Sequence, residues 1–194
     1  MVGILMTNAL PIGGSWGLMA YGSQRWPRMG ELRLILDPAS AMRSFYFDKQ
    51  DARVLFGDIR EKESHLLCNG QTIHIQPDEV MDFRSIPYPD ESFQCVVFDP
   101  PHLFNLSEKS WMRKKYGVLD KETWRDDITR GFSECFQVLK SNGTLIFKWN
   151  ETSIPTKDVM ALTEYKAVLG HPSGKRMGTH WLLYIKTEIG DKNG

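Results

Sequence analysis

The residues best equipped for chemistry lie together near the middle of the chain, in the run Asp99-Pro100-Pro101-His102. They follow an apolar run, residues 93–98, that is typical of a buried strand. Because proline lacks the backbone donor and fixes its own dihedral, a strand cannot continue through two prolines. The chain must therefore turn out at the strand's carboxyl end, where open α/β sheets place their ligand crevices. A carboxylate and a stiff run of carbonyl oxygens at that point suit holding an amine by its hydrogens.

Three further acids, Asp37, Asp58 and Asp82, each come at the end of a predicted strand. A nucleoside cofactor that lies across a sheet needs such carboxylates for its ribose hydroxyls and amino groups. Asp58 follows the end of the first strand by roughly 20 residues, the spacing that dinucleotide sites use for the ribose contact. Acids also end strands simply as turn formers, so one alone would mean little. Three of them, followed by the central motif, favour a binding site.

Apolar runs that alternate with helical or loop segments predict a βαβ-type sheet from residue 31 onward. The predicted strands cover residues 32–36, 54–56, 79–83, 94–98, 144–149, 165–169 and 180–185. Asn69-Gly70 separates two apolar runs, 65–68 and 71–75, and predicts a hairpin. A helical stretch is predicted over 39–47. A longer helix over 123–139 carries apolar side chains at helical spacing, and we expect Asn142-Gly143 to end it.

Composition limits the function classes. The 194 residues suffice for one domain with a real core, and a formal net charge of zero argues against binding a polyanion by bulk charge. Three scattered cysteines favour a reducing compartment, so we expect a cytoplasmic protein, and the five histidines show no metal-ligand spacing. The apolar stretch near the start is too short and broken for a membrane span. We expect a domain over 30–188, with a loosely structured extension over 1–29 and a tail over 189–194.

Taken in order, the motifs between residues 32 and 186 resemble those of class I S-adenosylmethionine-dependent methyltransferases. Residues 34–43 are similar to the family's first motif, and residues 81–93 and 136–145 to the stretches around its fourth and fifth strands. The central motif resembles the Asp/Asn-Pro-Pro-aromatic signature of the amino-methyltransferases, which include DNA adenine and cytosine enzymes. A closer likeness is to small bacterial and phage methyltransferases with Asp-Pro-Pro-His and Phe-Lys-Trp-Asn (here 147–150), whose substrates are mostly unassigned.

This resemblance implies the α/β fold class: a Rossmann-like, doubly wound, mostly parallel seven-stranded sheet with an antiparallel last strand. It also implies S-adenosylmethionine as cofactor, with S-adenosylhomocysteine as product. The cofactor-binding residues implied in this way are Asp37, Pro38, Ala39, Ala41, Asp58, Asp82 and Phe83. Asp58 would take the ribose hydroxyls, while Asp82 and Phe83 would frame the adenine. Ala41 stands where the family has glycine, and a positive φ there would cost about 1 kcal/mol.

The catalytic residues implied are Asp99, Pro100, Pro101 and His102. Asp99 and the Pro100 carbonyl would accept the hydrogens of an amine, and His102 would hold the acceptor ring or relay a proton. On the substrate side, the long connection 103–122 interleaves basic and aromatic residues, a mixture that grips phosphates and stacks bases. The same composition equally fits an ordinary solvated surface loop. The expected substrate-binding residues are Trp111, Lys114, Lys115, Trp149 and Lys175. Lys175 belongs to the basic stretch 170–176, which could instead form a hairpin turn.

These features favour methyl transfer to an exocyclic amine of a nucleic-acid base, and a duplex target would require base flipping. The chain has no room for a separate recognition domain, so duplex reading would need a homo-oligomer, a partner or a single-stranded substrate. A protein amide or a small molecule is an alternative acceptor. A third alternative is a non-catalytic binding or regulatory protein, in which Ala41 and His102 mark lost chemistry.

Overall fold

The structure, a computed structural model, describes residues 33–67, 69–104, 106–173 and 178–187. The extension expected over 1–29, the tail expected over 189–194 and the candidate substrate residue Lys175 lie outside these ranges. Within them, no helix is long and apolar enough to cross a membrane. The same residues contain no group of three or more His, Cys, Asp or Glu side chains that could hold a metal ion.

Seven strands form one sheet, and two more form a separate hairpin. The strands are β1 (Ile35–Asp37), β2 (Val54–Asp58), β3 (Glu63–Leu66), β4 (Thr72–Ile75), β5 (Glu79–Val80), β6 (Phe93–Phe98), β7 (Leu139–Asn150), β8 (Leu169–Ser173) and β9 (Thr179–Ile185). The sheet order is β5-β2-β1-β6-β7-β9-β8, and β3 pairs with β4 in the predicted hairpin. Strands β5, β2, β1, β6 and β7 pair in parallel, whereas β9 is antiparallel to both neighbours. The α/β fold class and the antiparallel last strand are thereby confirmed.

The principal helix covers one face of this sheet. The described helices are α1 (Trp111–Tyr116), α2 (Trp124–Val138) and α3 (Thr156–Met160). In α2, Phe132 packs between Phe98 of β6 and Phe147 of β7, at ring-centroid distances of 5.7 and 4.8 Å. These side chains are buried, as is Tyr184 of β9 beside them. The aromatic layer therefore fixes β6 and β7 side by side up to the point where the central motif begins.

The face of the sheet opposite α2 carries two polar side chains of the candidate site, Asp99 and Lys148. Phe98 pairs with Phe147 in register, so strand alternation turns Asp99 and Lys148 away from α2. The segment 39–50 packs against this second face. Its Phe45 ring meets Trp181 edge-on at 5.2 Å, and its neighbouring tyrosine meets Phe56 of β2 in the same way.

The helix predicted over 39–47 is wrong, because this segment is a series of turns. Ala41 and Arg43 have φ values of 45° and 54°, in the left-handed region that a right-handed helix cannot contain. Ser40 donates its backbone N–H to the Gly57 carbonyl, and Ala41 donates its own to the Asp58 carboxylate. These bonds to the end of β2 replace the hydrogen bonds of a helix. They hold Ala41 at a positive φ, a conformation that is costly for a residue with a Cβ.

Two predictions near the end of the chain are also wrong. Helix α2 stops at Val138, before Asn142-Gly143, which instead lies inside β7. There Asn142 adopts a φ of 61°, and the pairing of β6 with β7 shifts register, so the dipeptide forms an irregularity within a strand. The strand predicted over 165–169 begins only at Leu169, because Tyr165 stacks on Phe136 of α2 at 3.6 Å instead.

We expect Phe132→Ala to lower the free energy of unfolding by about 3–5 kcal/mol, because it opens a cavity between α2 and two strands. Chemical denaturation followed by circular dichroism measures this change. Phe47→Ala is the matched control, since Phe47 is fully exposed and its removal should change stability by less than about 0.5 kcal/mol. Equal losses in the two variants would contradict this account of the core.

Candidate active site

The carboxyl ends of the parallel strands bring the predicted acids to one edge of the sheet. Asp37 ends β1, Asp58 ends β2, and Asp99 follows β6 directly. These three strands are neighbours, with β1 in the middle. Two adjoining cavities open at this edge, and they are described in turn as the first and the second cavity.

The first cavity has a volume of about 180 Å³. It is lined by six of the seven residues expected to bind a cofactor: Pro38, Ala39, Ala41, Asp58, Asp82 and Phe83. Asp99 and Pro101 of the central motif line it as well, together with Tyr116 at the end of α1 and residues 117–119 that follow it. Segments that are far apart in the sequence, and that we expect to act on one ligand, therefore surround the same cavity.

Asp58 is bonded on both oxygens by groups of its own chain. Arg60 donates from Nε to Oδ1 and from Nη2 to Oδ2, both at 2.8 Å, and the Ala41 N–H donates to Oδ2 at 3.0 Å. The remaining terminal nitrogen of Arg60 donates to the Lys114 carbonyl at 2.9 Å. Arg60 therefore connects the acid at the end of β2 to helix α1, which precedes the far wall of the first cavity.

Asp82 forms the same kind of pair two residues along the chain. Arg84 donates from Nε and Nη2 to its carboxylate at 2.6–3.0 Å, and these bonds lower the pKa of Asp82 below its ordinary value. Arg84 also donates to Asp127 of α2 at 3.0 Å. Asp58 and Asp82 thus each have an arginine bonded across the carboxylate, and Asp99 and Asp127 line the same cavity.

The second cavity has a volume of about 220 Å³. Its lining consists of Ser40, Ala41, Ser44, Phe45, Asp99, Pro100, His102, Tyr116 and Lys148. Ala41, Asp99 and Tyr116 line both cavities. The central motif therefore divides, with Pro101 facing the first cavity, Pro100 and His102 facing the second, and Asp99 between them.

Asp99 is paired with Lys148, whose Nζ lies 2.5 Å from Oδ2. Burial raises the pKa of Asp99, and the nearby ammonium partly opposes this shift. Within the described ranges, no hydrogen bond reaches Oδ1 of Asp99. Lys148 lies within the Phe-Lys-Trp-Asn segment, and the sequence pattern alone indicates no role for it. The signal that could have found it is its register, one residue beyond the pairing of Phe98 with Phe147.

His102 is neutral at physiological pH. Burial and the charge of Lys148 lower its pKa to about 4, and a hydrogen bond to the Pro100 carbonyl opposes the shift. Its ring lies 6.1 Å from that of Tyr116 and 6.2 Å from that of Trp149, measured between centroids. A neutral imidazole among aromatic rings can support a flat ligand or exchange one hydrogen bond.

Asp37 is the one expected cofactor residue that does not line either cavity. Its side chain is completely buried, where it accepts hydrogen bonds from the Tyr46 hydroxyl at 3.0 Å and the Ala39 N–H at 3.2 Å. Burial, with the charge of Asp99 adding to it, raises the pKa of Asp37 to about 8. The carboxyl therefore keeps its proton at neutral pH and supports the turn after β1 from within.

The four expected substrate residues that the structure describes also lie outside the two linings. Trp111 is 46% exposed on α1, and Lys115 places its Nζ 4.9 Å from the Tyr116 ring centroid. Lys114 contributes only its carbonyl to the bond with Arg60. Trp149 is completely buried and donates its indole N–H to the Ile154 carbonyl at 3.0 Å. Sequence reasoning did not single out several polar and aromatic residues that the structure places at the cavities, namely Ser40, Ser44, Phe45, Arg60, Arg84, Tyr116, Asp127 and Lys148.

Comparison with protein families and with curated proteins gives no match to this chain. Among solved structures, the PH0226 protein from Pyrococcus horikoshii aligns over 79% of this chain and 81% of its own, at 14% identity and a TM-score of 0.52. A SAM-dependent methyltransferase from Methanosarcina mazei aligns over 79% and 92%, at 11% identity and a TM-score of 0.49. One from Thermotoga maritima aligns over 79% and 82%, at 12% identity and a TM-score of 0.47. At such low identity the Pyrococcus match establishes a shared fold alone.

We expect Asp37→Asn to reduce the loss of stability as the pH rises from 5 to 8. The folded carboxyl binds its proton more tightly than the unfolded one, whose pKa lies near 3.8. Its contribution is therefore fully present below pH 3.8 and is lost as the pH rises through about 8. Urea unfolding at several pH values measures the difference between the variant and the wild type, which should grow in favour of the variant.

Asp51→Asn is the control for this series. Arg53 lowers the pKa of Asp51 to about 2, so that carboxylate does not titrate between pH 5 and 8. Its variant should run parallel to the wild type over that range. If Asp37→Asn also ran parallel, the buried, protonated carboxyl would be contradicted.

Proposed function

We propose that the protein is an S-adenosylmethionine-dependent methyltransferase that transfers a methyl group to an exocyclic amine of a nucleic-acid base, adenine or cytosine in DNA. The observation that carries this proposal is the position of Asp99 in the wall shared by two cavities. One cavity collects six of the residues that the sequence motifs assign to the cofactor. The other presents the remaining groups of the central motif.

The residues around the first cavity suit the proposed cofactor chemically. Asp58 and Asp82, whose oxygens are bonded to Arg60 and Arg84, would exchange some of these bonds for ribose hydroxyls and an adenine amino group, and Phe83 offers an aromatic face. Pro38 and Ala39 add apolar contact, and the small Ala41 leaves the turn open between the two cavities. S-adenosylmethionine supplies an electrophilic methyl group, so the protein needs mainly to position the acceptor.

The acceptor side of the reaction is assigned to Asp99, Pro100 and His102. The lone pair of an aromatic amine is delocalised into its ring, so the amine is a poor nucleophile. Oδ1 of Asp99 and the Pro100 carbonyl would accept its two hydrogens and direct the lone pair outward. When the nitrogen gains the methyl group it loses one proton, which Asp99 can accept and His102 can relay toward solvent.

Helix α1 supports a nucleic-acid substrate. It presents the exposed Trp111 together with Arg113, Lys114 and Lys115 in its last turn. Basic and aromatic side chains on one short segment suit a single strand, whose phosphates and bases they contact in turn. A specific duplex target would require a second copy of the chain or a partner. The free thiols of Cys95 and Cys135 agree with the cytoplasmic location that we propose, and 30–188 is our proposed catalytic domain.

Each of the two alternative functions would use only part of this arrangement. A methyltransferase acting on a protein amide or a small molecule would use both cavities without needing α1. A non-catalytic binding or regulatory protein would keep the first cavity alone. The measurements below separate the three, because cofactor binding, methyl transfer and nucleic-acid binding are read independently.

We expect Asp99→Asn to bind S-adenosylhomocysteine within about 3-fold of the wild type and to lose methyl transfer by about 100-fold or more. The amide keeps the shape of the side chain and cannot take up the proton. Calorimetry measures binding, and transfer of tritiated methyl groups to a mixed-sequence single-stranded DNA measures activity. Asp58→Asn should lose binding, because it alters the first cavity.

The pattern of losses in cofactor binding and in methyl transfer decides between the three candidate functions. No binding of S-adenosylmethionine or its product to the wild type would contradict the cofactor assignment altogether. Binding without transfer to any nucleic acid would direct the search to amides and small molecules. Full transfer by Asp99→Asn would contradict the role of the carboxylate.

We expect Lys114→Ala and Lys115→Ala to weaken binding to single-stranded DNA and to make it less dependent on salt. Each lost phosphate contact should reduce the slope of log affinity against log salt by about 0.7. Fluorescence anisotropy over a salt series measures that slope. Lys140→Ala on β7 is the control, since it removes an exposed cation far along the chain from α1 and should leave the slope unchanged.

A further inference from the structure

We propose that the second cavity binds a neutral heteroaromatic ring whose amino group is next to a ring nitrogen, and that Lys148 recognises this ring nitrogen. The inference rests on the proposed function and adds a residue that determines which amines are accepted. Lys148 and Asp99 lie side by side in the lining, one carrying only donors and the other, when ionised, only acceptors. An amino group beside a ring nitrogen has the complementary pattern, a donor beside an acceptor.

Both members of the pair have unused hydrogen-bonding capacity. Lys148 has three N–H donors, and one of them serves Oδ2 of Asp99. In the part of the chain that the structure describes, the other donors have no acceptor and Oδ1 receives no hydrogen bond. A ligand can therefore bond to both groups without breaking the ion pair between them.

The position of Lys148 is fixed by its surroundings. It stands opposite Trp181 in the pairing of β7 with β9, and its Nζ lies 5.7 Å from that ring and 5.2 Å from Phe45. Cation–π contacts on two sides restrict the side chain before any ligand arrives. A restrained ammonium can select by geometry, whereas a flexible surface lysine could not.

The rest of the lining favours a flat and neutral occupant. Phe45, His102 and Tyr116 supply ring faces, and the low pKa of His102 keeps its imidazole uncharged at neutral pH. Ser40 belongs to the same lining, and its buried hydroxyl has no hydrogen-bond partner among the described residues. Alkylamines are protonated at neutral pH, and the fixed charge of Lys148 would repel them.

The test compares ligands that differ only in the ring nitrogen. Binding of adenosine and 1-deazaadenosine, and of cytidine and 3-deazacytidine, is measured by calorimetry in the presence of saturating S-adenosylhomocysteine. We expect the wild type to bind at least one natural nucleoside about 10-fold or more tightly than its deaza analogue. Lys148→Met should bind the two members of that pair within about 2-fold of each other.

A double variant controls for a folding defect in Lys148→Met. Lys148→Met leaves Asp99 buried without its cation, so Asp99→Asn/Lys148→Met, which leaves no unpaired charge, is measured beside it. Lys148→Met should still bind S-adenosylhomocysteine, since Lys148 does not line the first cavity. Asp99 does line it, so the double variant should bind S-adenosylhomocysteine as Asp99→Asn alone does. The comparison within the wild type needs no variant at all.

Several outcomes would overturn the inference while leaving the cofactor assignment intact. These are equal binding of natural and deaza nucleosides by the wild type, discrimination that survives in Lys148→Met, and no binding of any of the four nucleosides. Preference for a glutamine tripeptide or for tyramine would assign the cavity to an amide or an alkylamine instead. Failure to bind S-adenosylhomocysteine would contradict the proposed function itself, which is a separate result.

Discussion

The ion pair between Asp99 and Lys148 is the interaction on which the site depends. A carboxylate buried at the end of β6 would ordinarily give up its charge, because desolvation disfavours the ionised form. An ammonium 2.5 Å away makes the charge tenable, and it must come from the adjacent strand to reach that position. The aromatic layer under α2 holds β6 and β7 in the required register, so packing on one face of the sheet positions charges on the other.

The turn after β1 shows a second dependence of the site on local conformation. Ala41 adopts a left-handed conformation that costs about 1 kcal/mol for a residue with a Cβ. In return its N–H bonds to the Asp58 carboxylate, and hydrogen bonds to charged groups contribute about 1.5–3 kcal/mol. The balance favours the turn. A helix at this place would have put peptide groups and side chains where the two cavities meet.

Much of this arrangement could be predicted from the sequence, for identifiable reasons. Apolar runs and their terminal acids indicated β1, β2 and β6, and strand ends in a parallel sheet share one edge, so the gathering of Asp58, Asp82 and Asp99 followed. Lys148 was not predicted because its role comes from the register between two strands, which no single run reveals. Arg60 and Arg84 were overlooked because a neighbouring cation beside an acid looks like ordinary surface charge.

The errors have a common physical origin in contacts between distant segments. Residues 39–47 have the composition of a short helix, but bonds to the end of β2 hold them in turns. Asn142-Gly143 is a strong local turn signal, yet it lies in a strand whose backbone bonds to Lys186 on the neighbouring chain segment. In each case the local conformational propensity contributes less to stability than the hydrogen bonds that form between distant segments.

The charges of the two cavities largely cancel, and this determines how the site can select its ligands. Asp58 has Arg60, Asp99 has Lys148, and Arg84 bridges Asp82 and Asp127, so the linings hold one more acid than they hold cations. A site with so little net charge attracts neither anions nor cations strongly from solution, so it must discriminate by the pattern of donors and acceptors. For the nucleic-acid substrate that we propose, phosphate attraction is left to the cations of α1, outside both linings. Salt should then govern the capture of a nucleic acid, whereas the choice of base within the site should depend on salt only weakly.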